Sequence, residues 1–230
     1  MALLNTLLLT FAVCLGFACS IHLTRATQWL GCFMSTSGKQ RNEPNNNTNP
    51  TKPGIRHLWQ GAMSYAAWAH RHQVRKDHTT PYCAHVARVA MTVSNVFEYK
   101  DEITLAIALL HDTIEDTTTD YEDLRSRFGT VIADGVSRLT KNMALPKELR
   151  EPAYDLQIAD APWNVKLVKL ADVYDNFCDV DTSSPEKVQD RKRDVIEKCD
   201  RAIAIARNDA SKSQILQRAA ELVEALVAEG

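Results

Sequence analysis

The sequence predicts an all-α protein, a bundle of helices with no sustained sheet. Between residues 55 and 230 apolar residues recur at helical spacing, and polar or helix-breaking residues fall where the pattern stops. Strand-like alternation of apolar and polar residues is nowhere sustained. No heptad persists either, so the bundle is orthogonal or irregular rather than a coiled coil.

Taken in order, helices are expected over Arg56–Gln73, Cys83–Val96, Asp101–Asp116 and Tyr121–Phe128. Gly129 stops the last of these, and the next runs over Val131–Thr140 before Pro146 breaks the chain. Pro162 sits at the start of Pro162–Phe177, because a proline in the first turn sacrifices no intrahelical bond. Ser183-Ser184-Pro185 opens a long charged helix, Pro185–Arg207, and Ser211–Glu229 completes the set.

Ahead of these lie two segments of different character. Residues 1–33 are apolar, with Arg25 the only basic residue and no acid. Residues 34–54 are rich in Asn, Pro, Thr and Ser, the composition of a disordered linker. Leu7 to Cys19 has two readings: the apolar core of a signal for export or anchoring, or sequence upstream of a true start at Met34. Nothing basic precedes it, and about thirteen residues is short for a membrane span. The Met34 start and a cytoplasmic protein are therefore expected. The six cysteines form no CxxC pair, as for reduced thiols in a cytosolic enzyme.

A chain of 230 residues with 45% hydrophobic and 24% charged residues buries one sizeable core, assigned to residues 55–230. A net charge of −2 gives no general attraction to a nucleic acid polymer or an anionic membrane. An anionic ligand must then be held by local Lys and Arg. No P-loop, nucleophile elbow or dinucleotide fingerprint occurs, which leaves kinase, serine hydrolase and dinucleotide-fold readings without support.

The chemistry concentrates in Leu109-Leu110-His111-Asp112-Thr113-Ile114-Glu115-Asp116-Thr117. On a continuous helix at about 100° per residue, Glu115 falls about 40° from His111, Asp112 about 100° and Asp116 about 140°. One imidazole and three carboxylates then share a stripe, and Ile103, Ile107, Leu110 and Ile114 form a separate apolar face. A solvated acidic helix end has the same composition. Acids at a helix C-terminus, however, oppose the macrodipole and call for a compensating cation, which a metal supplies. His85 near the start of the preceding helix and Asp172 in an apolar run are further candidates. Each taken singly also reads as a structural hydrogen-bonding group.

The order His85, His111-Asp112, Asp172 resembles the HD superfamily of metal phosphohydrolases, and the wider set resembles the hydrolase domain of the RelA/SpoT alarmone enzymes, especially the small stand-alone alarmone hydrolases. The matching pieces are His70-x-x-Gln73-x-Arg75-Lys76, Pro81-Tyr82-x-x-His85, the nine-residue block above, Phe128-Gly129, Leu139-Thr140, and Val168-Lys169-Leu170-Ala171-Asp172 with Asn176. His-Asp alone is a weak motif; the nine-residue block with the others in order is specific.

The resemblance implies an HD-domain helical bundle in which His85, His111, Asp112 and Asp172 bind one divalent metal, Mn²⁺ in this family. It implies that Glu115 and Asp116 activate and orient water. Arg75 and Lys76 would neutralise polyphosphate, and Asn176, Thr140 and Lys147 would line the nucleotide pocket. From the residues alone, Arg75 and Lys76 also read as a solvated loop before a Pro turn. The implied reaction is hydrolysis of the 3′-pyrophosphate of (p)ppGpp, a small-molecule nucleotide. Alternatives are an HD phosphohydrolase acting on another nucleotide, such as an NADPH phosphatase, and a non-catalytic alarmone-binding module. Two departures stand out: Val86 follows the first ligand His where the family usually has Pro, and Lys192 and Ile196 stand where it tends to place an Arg and a Tyr. The second puts the ribose and base contacts in question.

Overall fold

The computed structural model describes residues 56–180, 188–209 and 213–229, and every regular element in them is a helix. In chain order these are α1 (Leu58–Ala69), α2 (Cys83–Met91) continued by a π-helical turn (Thr92–Val96), α3 (Glu102–Leu110), the single turn α4 (Thr113–Asp116), α5 (Tyr121–Phe128), α6 (Thr130–Leu139), α7 (Lys147–Ala159), α8 (Trp163–Cys178), α9 (Val188–Asn208) and α10 (Gln214–Glu229). The extended pairing among the described residues is one isolated bridge, Val74 to Pro81, which closes the loop between α1 and α2. The expected segments 1–33 and 34–54 lie outside the described residues, as do the expected helix starts at Pro185 and Ser211. No described helix is long and apolar enough to cross a membrane.

Helix α8 is the element the others surround. It packs against α2, α3, α6, α7, α9 and α10, and Val165, Leu167, Val168, Leu170, Ala171 and Val173 are all at most 2% exposed. Val165, Val168 and Val173 are buried along with Leu167, Leu170 and Ala171, so burial extends around most of the helix. A helix apolar on nearly all sides belongs inside a core, where each large aliphatic side chain contributes roughly 1.5–3 kcal/mol by burial. Its polar residues Lys169, Asp172, Asn176 and Asp179, spaced three and four apart, share one side.

The continuous helix expected over Asp101–Asp116 is interrupted at His111 and Asp112. It begins as expected: Asp101 caps α3, its carboxylate accepting from the Thr104 amide and hydroxyl at 2.8 Å each. It stops because side chains take up the closing carbonyls. His111 Nδ1 donates to Ala108 O at 2.8 Å, and the Thr113 hydroxyl donates to Leu110 O at 2.7 Å. Asp112 then sits at φ −98°, ψ −1°, and one further turn restarts at Thr113. The uninterrupted stripe of one His and three acids is accordingly corrected: the break lets His111 and Asp112, adjacent in sequence, face the same centre.

Two other differences have local causes. The first expected helix ends at Ala69 rather than Gln73, because the chain turns into the loop bridged at Val74. Helix α7 was not anticipated. It buries only Tyr154 and Ile158, so no apolar stripe marks it, and Pro152 lies within it. The α5–α6 junction follows expectation. Gly129 adopts φ 87°, ψ 165°, backbone space essentially reserved for glycine, and both ends α5 and begins α6. Gly129→Ala is expected to lower stability by about 1–3 kcal/mol. Urea unfolding of the two proteins measures this, and equal midpoints would contradict it.

Candidate metal centre

His85 on α2, His111 and Asp112 at the α3–α4 break, and Asp172 on α8 meet at one point. Each histidine is fixed from behind. The His85 Nδ1–H donates to Asp175 Oδ2 at 2.7 Å, and that of His111 to Ala108 O. Both rings therefore present an Nε2 lone pair to the centre. There His85 Nε2 lies 3.5 Å from Asp112 Oδ2 and 3.3 Å from Asp172 Oδ1; His111 Nε2 lies 3.0 Å and 3.7 Å from the same atoms. His85, His111 and Asp112 alone bring their ligand atoms within 4.8 Å of one another.

Nitrogen and carboxylate oxygen crowd one point, and His111 Nε2 is buried with no hydrogen bond. Burial opposes charge on all four groups, yet their mutual attraction, with Lys169 beside Asp172 and Asp175 behind His85, outweighs it. His85 is raised to about 9 and His111 well above its usual value, while Asp112 and Asp172 are held well below the carboxylate range. The cluster attracts positive charge, and two imidazoles with two carboxylates suit a divalent cation.

A pocket of about 360 Å³ opens beside this centre. Glu115 and Asp116 form part of its wall. Glu115 Oε2 accepts from the Lys141 backbone amide at 2.8 Å. The Tyr82 hydroxyl bridges Asp116 Oδ2 at 2.9 Å and Asp112 Oδ2 at 2.7 Å. Burial raises both the Glu115 and the Asp116 carboxyls, with neighbouring carboxylates acting in the same direction. The same pocket is lined by Arg75, Lys76, Lys141, Lys169 and Lys198. Burial pushes the Lys76 ammonium down, and Lys198, Arg75 and Arg191 push it further. Cations crowded in this way favour an anionic ligand.

The cations are not equivalent. Arg75 is 9% exposed; its guanidinium donates to Asp179 at 2.9 Å and 2.8 Å and to Asn176 Oδ1 at 2.9 Å, above the Tyr82 ring. It is neither a solvated loop residue nor an unengaged cation. Asn176 passes the connection on, its amide nitrogen donating to Asp172 Oδ1 at 2.6 Å. Lys169 pairs with Asp172 Oδ2 at 2.8 Å, and both Lys169 and Lys141 lie over the Tyr154 ring.

The structure brings His85, His111, Asp112, Asp172, Glu115, Asp116, Arg75, Lys76 and Asn176 around this pocket. Thr140 and Lys147 are not in its wall. The Thr140 hydroxyl is spent on Val136 O, and Lys147 lines a neighbouring depression that shares Lys141 and Lys198 with the pocket. From α9 it is Lys198, not Lys192 or Ile196, that reaches the pocket. Sequence reasoning missed Lys141, Tyr154, Lys169, Asp175 and Lys198. For Lys169 a signal existed: a lysine inside a buried apolar run requires an acid partner, and Asp172 follows three residues later.

Residues 62–198 match the HD domain family. A guanosine-3′,5′-bis(diphosphate) 3′-pyrophosphohydrolase of Drosophila melanogaster is 37% identical over 133 residues, 57% of this chain and 74% of that protein. The enzyme of the same name from Homo sapiens is 39% identical over 129 residues, 54% of this chain and 70% of its own. A solved structure described as a metazoan ortholog of SpoT that hydrolyzes ppGpp and plays a role in starvation responses aligns with a TM-score of 0.62. It is 31% identical and covers 75% of this chain and 96% of that one.

The embedded position of Arg75 has a measurable consequence. Arg75→Ala removes its hydrogen bonds to Asp179 and Asn176 and is expected to cost about 1–3 kcal/mol of stability. Lys76→Ala, at an exposed position, is expected to stay within about 0.5 kcal/mol of the parent. Denaturant unfolding of both variants distinguishes them, and equal effects would contradict the assignment.

Proposed function

The chain belongs to the HD-domain family, and we propose that it hydrolyses the 3′-pyrophosphate of (p)ppGpp, releasing pyrophosphate and leaving GDP or GTP. In this reading His85, His111, Asp112 and Asp172 hold one divalent metal, manganese. The observation that carries it is the convergence of two imidazole Nε2 atoms and two carboxylates beside an acid pair, in a pocket also lined by Arg75 and four lysines. The similarity to named 3′-pyrophosphohydrolases supports the choice of substrate.

When bound, the metal supplies Lewis acidity to water and to the phosphoryl group. The side chains do the rest. Glu115, tethered at Oε2, accepts a proton from the attacking water, and Asp116, fixed by Tyr82, orients that water. Lys76, Lys141 and Lys198 neutralise the phosphates, while Arg75 and Asn176 form the wall that seats the nucleoside. Lys147 acts from the depression that adjoins the pocket. Among the described residues Cys83, Cys178 and Cys199 are free thiols, and the setting proposed for the protein is cytoplasmic.

Incubating the full chain with Mn²⁺ and a panel of nucleotides tests the substrate. We expect ppGpp to be consumed far faster than GTP, GDP or ADP, yielding GDP and pyrophosphate. Orthophosphate released from the 5′ end, or NADPH consumed without ppGpp turnover, would overturn the reading. The roles of the acids separate in variants. Glu115→Gln is expected to keep its metal and lose about 10²- to 10⁴-fold in rate. His85→Ala and Asp172→Ala are expected to lose metal and rate together. Metal analysis after dialysis, beside the rates, shows which pattern holds.

A further inference from the structure

Behind His85 lies a buried carboxylate, Asp175, held by Arg88, whose own side chain is 40% exposed. Asp175 is 4% exposed and accepts three hydrogen bonds: from His85 Nδ1 at 2.7 Å, from Arg88 Nε at 2.6 Å and from Arg88 Nη2 at 3.0 Å. Taking a carboxylate out of water costs several kcal/mol that an apolar side chain in its place would not incur. Its placement against His85 points to a positioning role.

The pair belongs to a longer circuit. The Arg88 guanidinium also reaches Asp179 Oδ1 at 3.2 Å, and Asp179 Oδ2 receives Arg75. Arg75 donates to Asn176, and Asn176 donates to Asp172. The chain of contacts that begins behind the imidazole of His85 therefore ends on the carboxylate of Asp172. It joins α2, the loop before it and the polar side of α8, and the two groups at its ends are the pair that lie 3.3 Å apart across the centre.

The geometry points to Asp175 as the positioning residue of this site: backed by Arg88, it fixes the tautomer and the direction of the His85 ring so that Nε2 presents a lone pair to the metal. The inference rests on the reading of His85 and Asp172 as ligands of a divalent metal, and it is independent of which nucleotide is cleaved. Asparagine has nearly the same shape as aspartate but the wrong polarity. If its oxygen faces His85, its NH₂ group meets the Arg88 donors. If its NH₂ group faces His85, Nδ1 must accept, and the ring proton moves to Nε2, where it blocks the ligand position.

The test measures Mn²⁺ affinity of the full chain by competition with a chromophoric chelator, together with thermal unfolding of the metal-free proteins. We expect Asp175→Asn to unfold as a folded protein does and to bind Mn²⁺ about 10- to 100-fold more weakly. Arg88→Ala, at a side chain 40% exposed, is expected to fold and to lose affinity in the same direction by less. ¹⁵N shifts of the His85 ring in metal-free Asp175→Asn are expected to report a proton displaced from Nδ1. Undiminished Mn²⁺ affinity in Asp175→Asn overturns the inference while leaving the metal reading intact. Should that variant not fold, undiminished affinity in Arg88→Ala does the same. A parent protein that binds no divalent metal overturns the metal reading and this inference with it.

Discussion

Two imidazole nitrogens and two carboxylate oxygens face one another within 3.0–3.7 Å inside a helical core. Uncompensated, such a set is among the costliest things a protein interior can contain. Much of the surrounding architecture answers it. Lys169 comes from the same helix as Asp172 to neutralise it, and the Tyr82 hydroxyl comes from before α2 to meet Asp112. The carbonyl of Ala108 holds one ring and Asp175 the other. Helix α8, buried on nearly every side, carries Asp172 to the middle of the molecule, where the ends of α2 and α3 reach it.

Helix boundaries were legible wherever one residue's covalent character decides the backbone. Gly129 and Pro162 are such residues, as their conformations show. The α3–α4 break was not legible. It is caused by the His111 and Thr113 side chains bonding to carbonyls three residues back, a competition within the backbone that leaves the spacing of apolar residues unchanged. Helix α7 escaped for the opposite reason. It is held by two buried side chains and by its neighbours, so intrinsic preference and periodicity both understate it.

The candidate site divides in the same way. Residues gathered in short motifs, such as the block around His111 and Asp112 or the pair Arg75-Lys76, could be picked out together, because their chemistry is dense in sequence. Asp175 and Lys198 could not. One is a carboxylate among several polar residues of α8 and the other a lysine on a highly charged helix, and only the packing of α8 against α2 and α9 gives them a place near the centre. Arg75 was visible as a cation, but its engagement by Asp179, over a hundred residues away in sequence, is a property of the folded chain.

The acid assigned to the water is secured in an unusual manner. Glu115 is gripped by the peptide N–H of Lys141, not by any side chain. Every amino acid except proline carries that group, so the lysine itself can change through evolution without disturbing the grip. Drift at position 141 then alters the charge lining the mouth of the pocket while the acid behind it stays put. At this position the side chain sets the charge of the pocket, and the peptide sets where the acid sits.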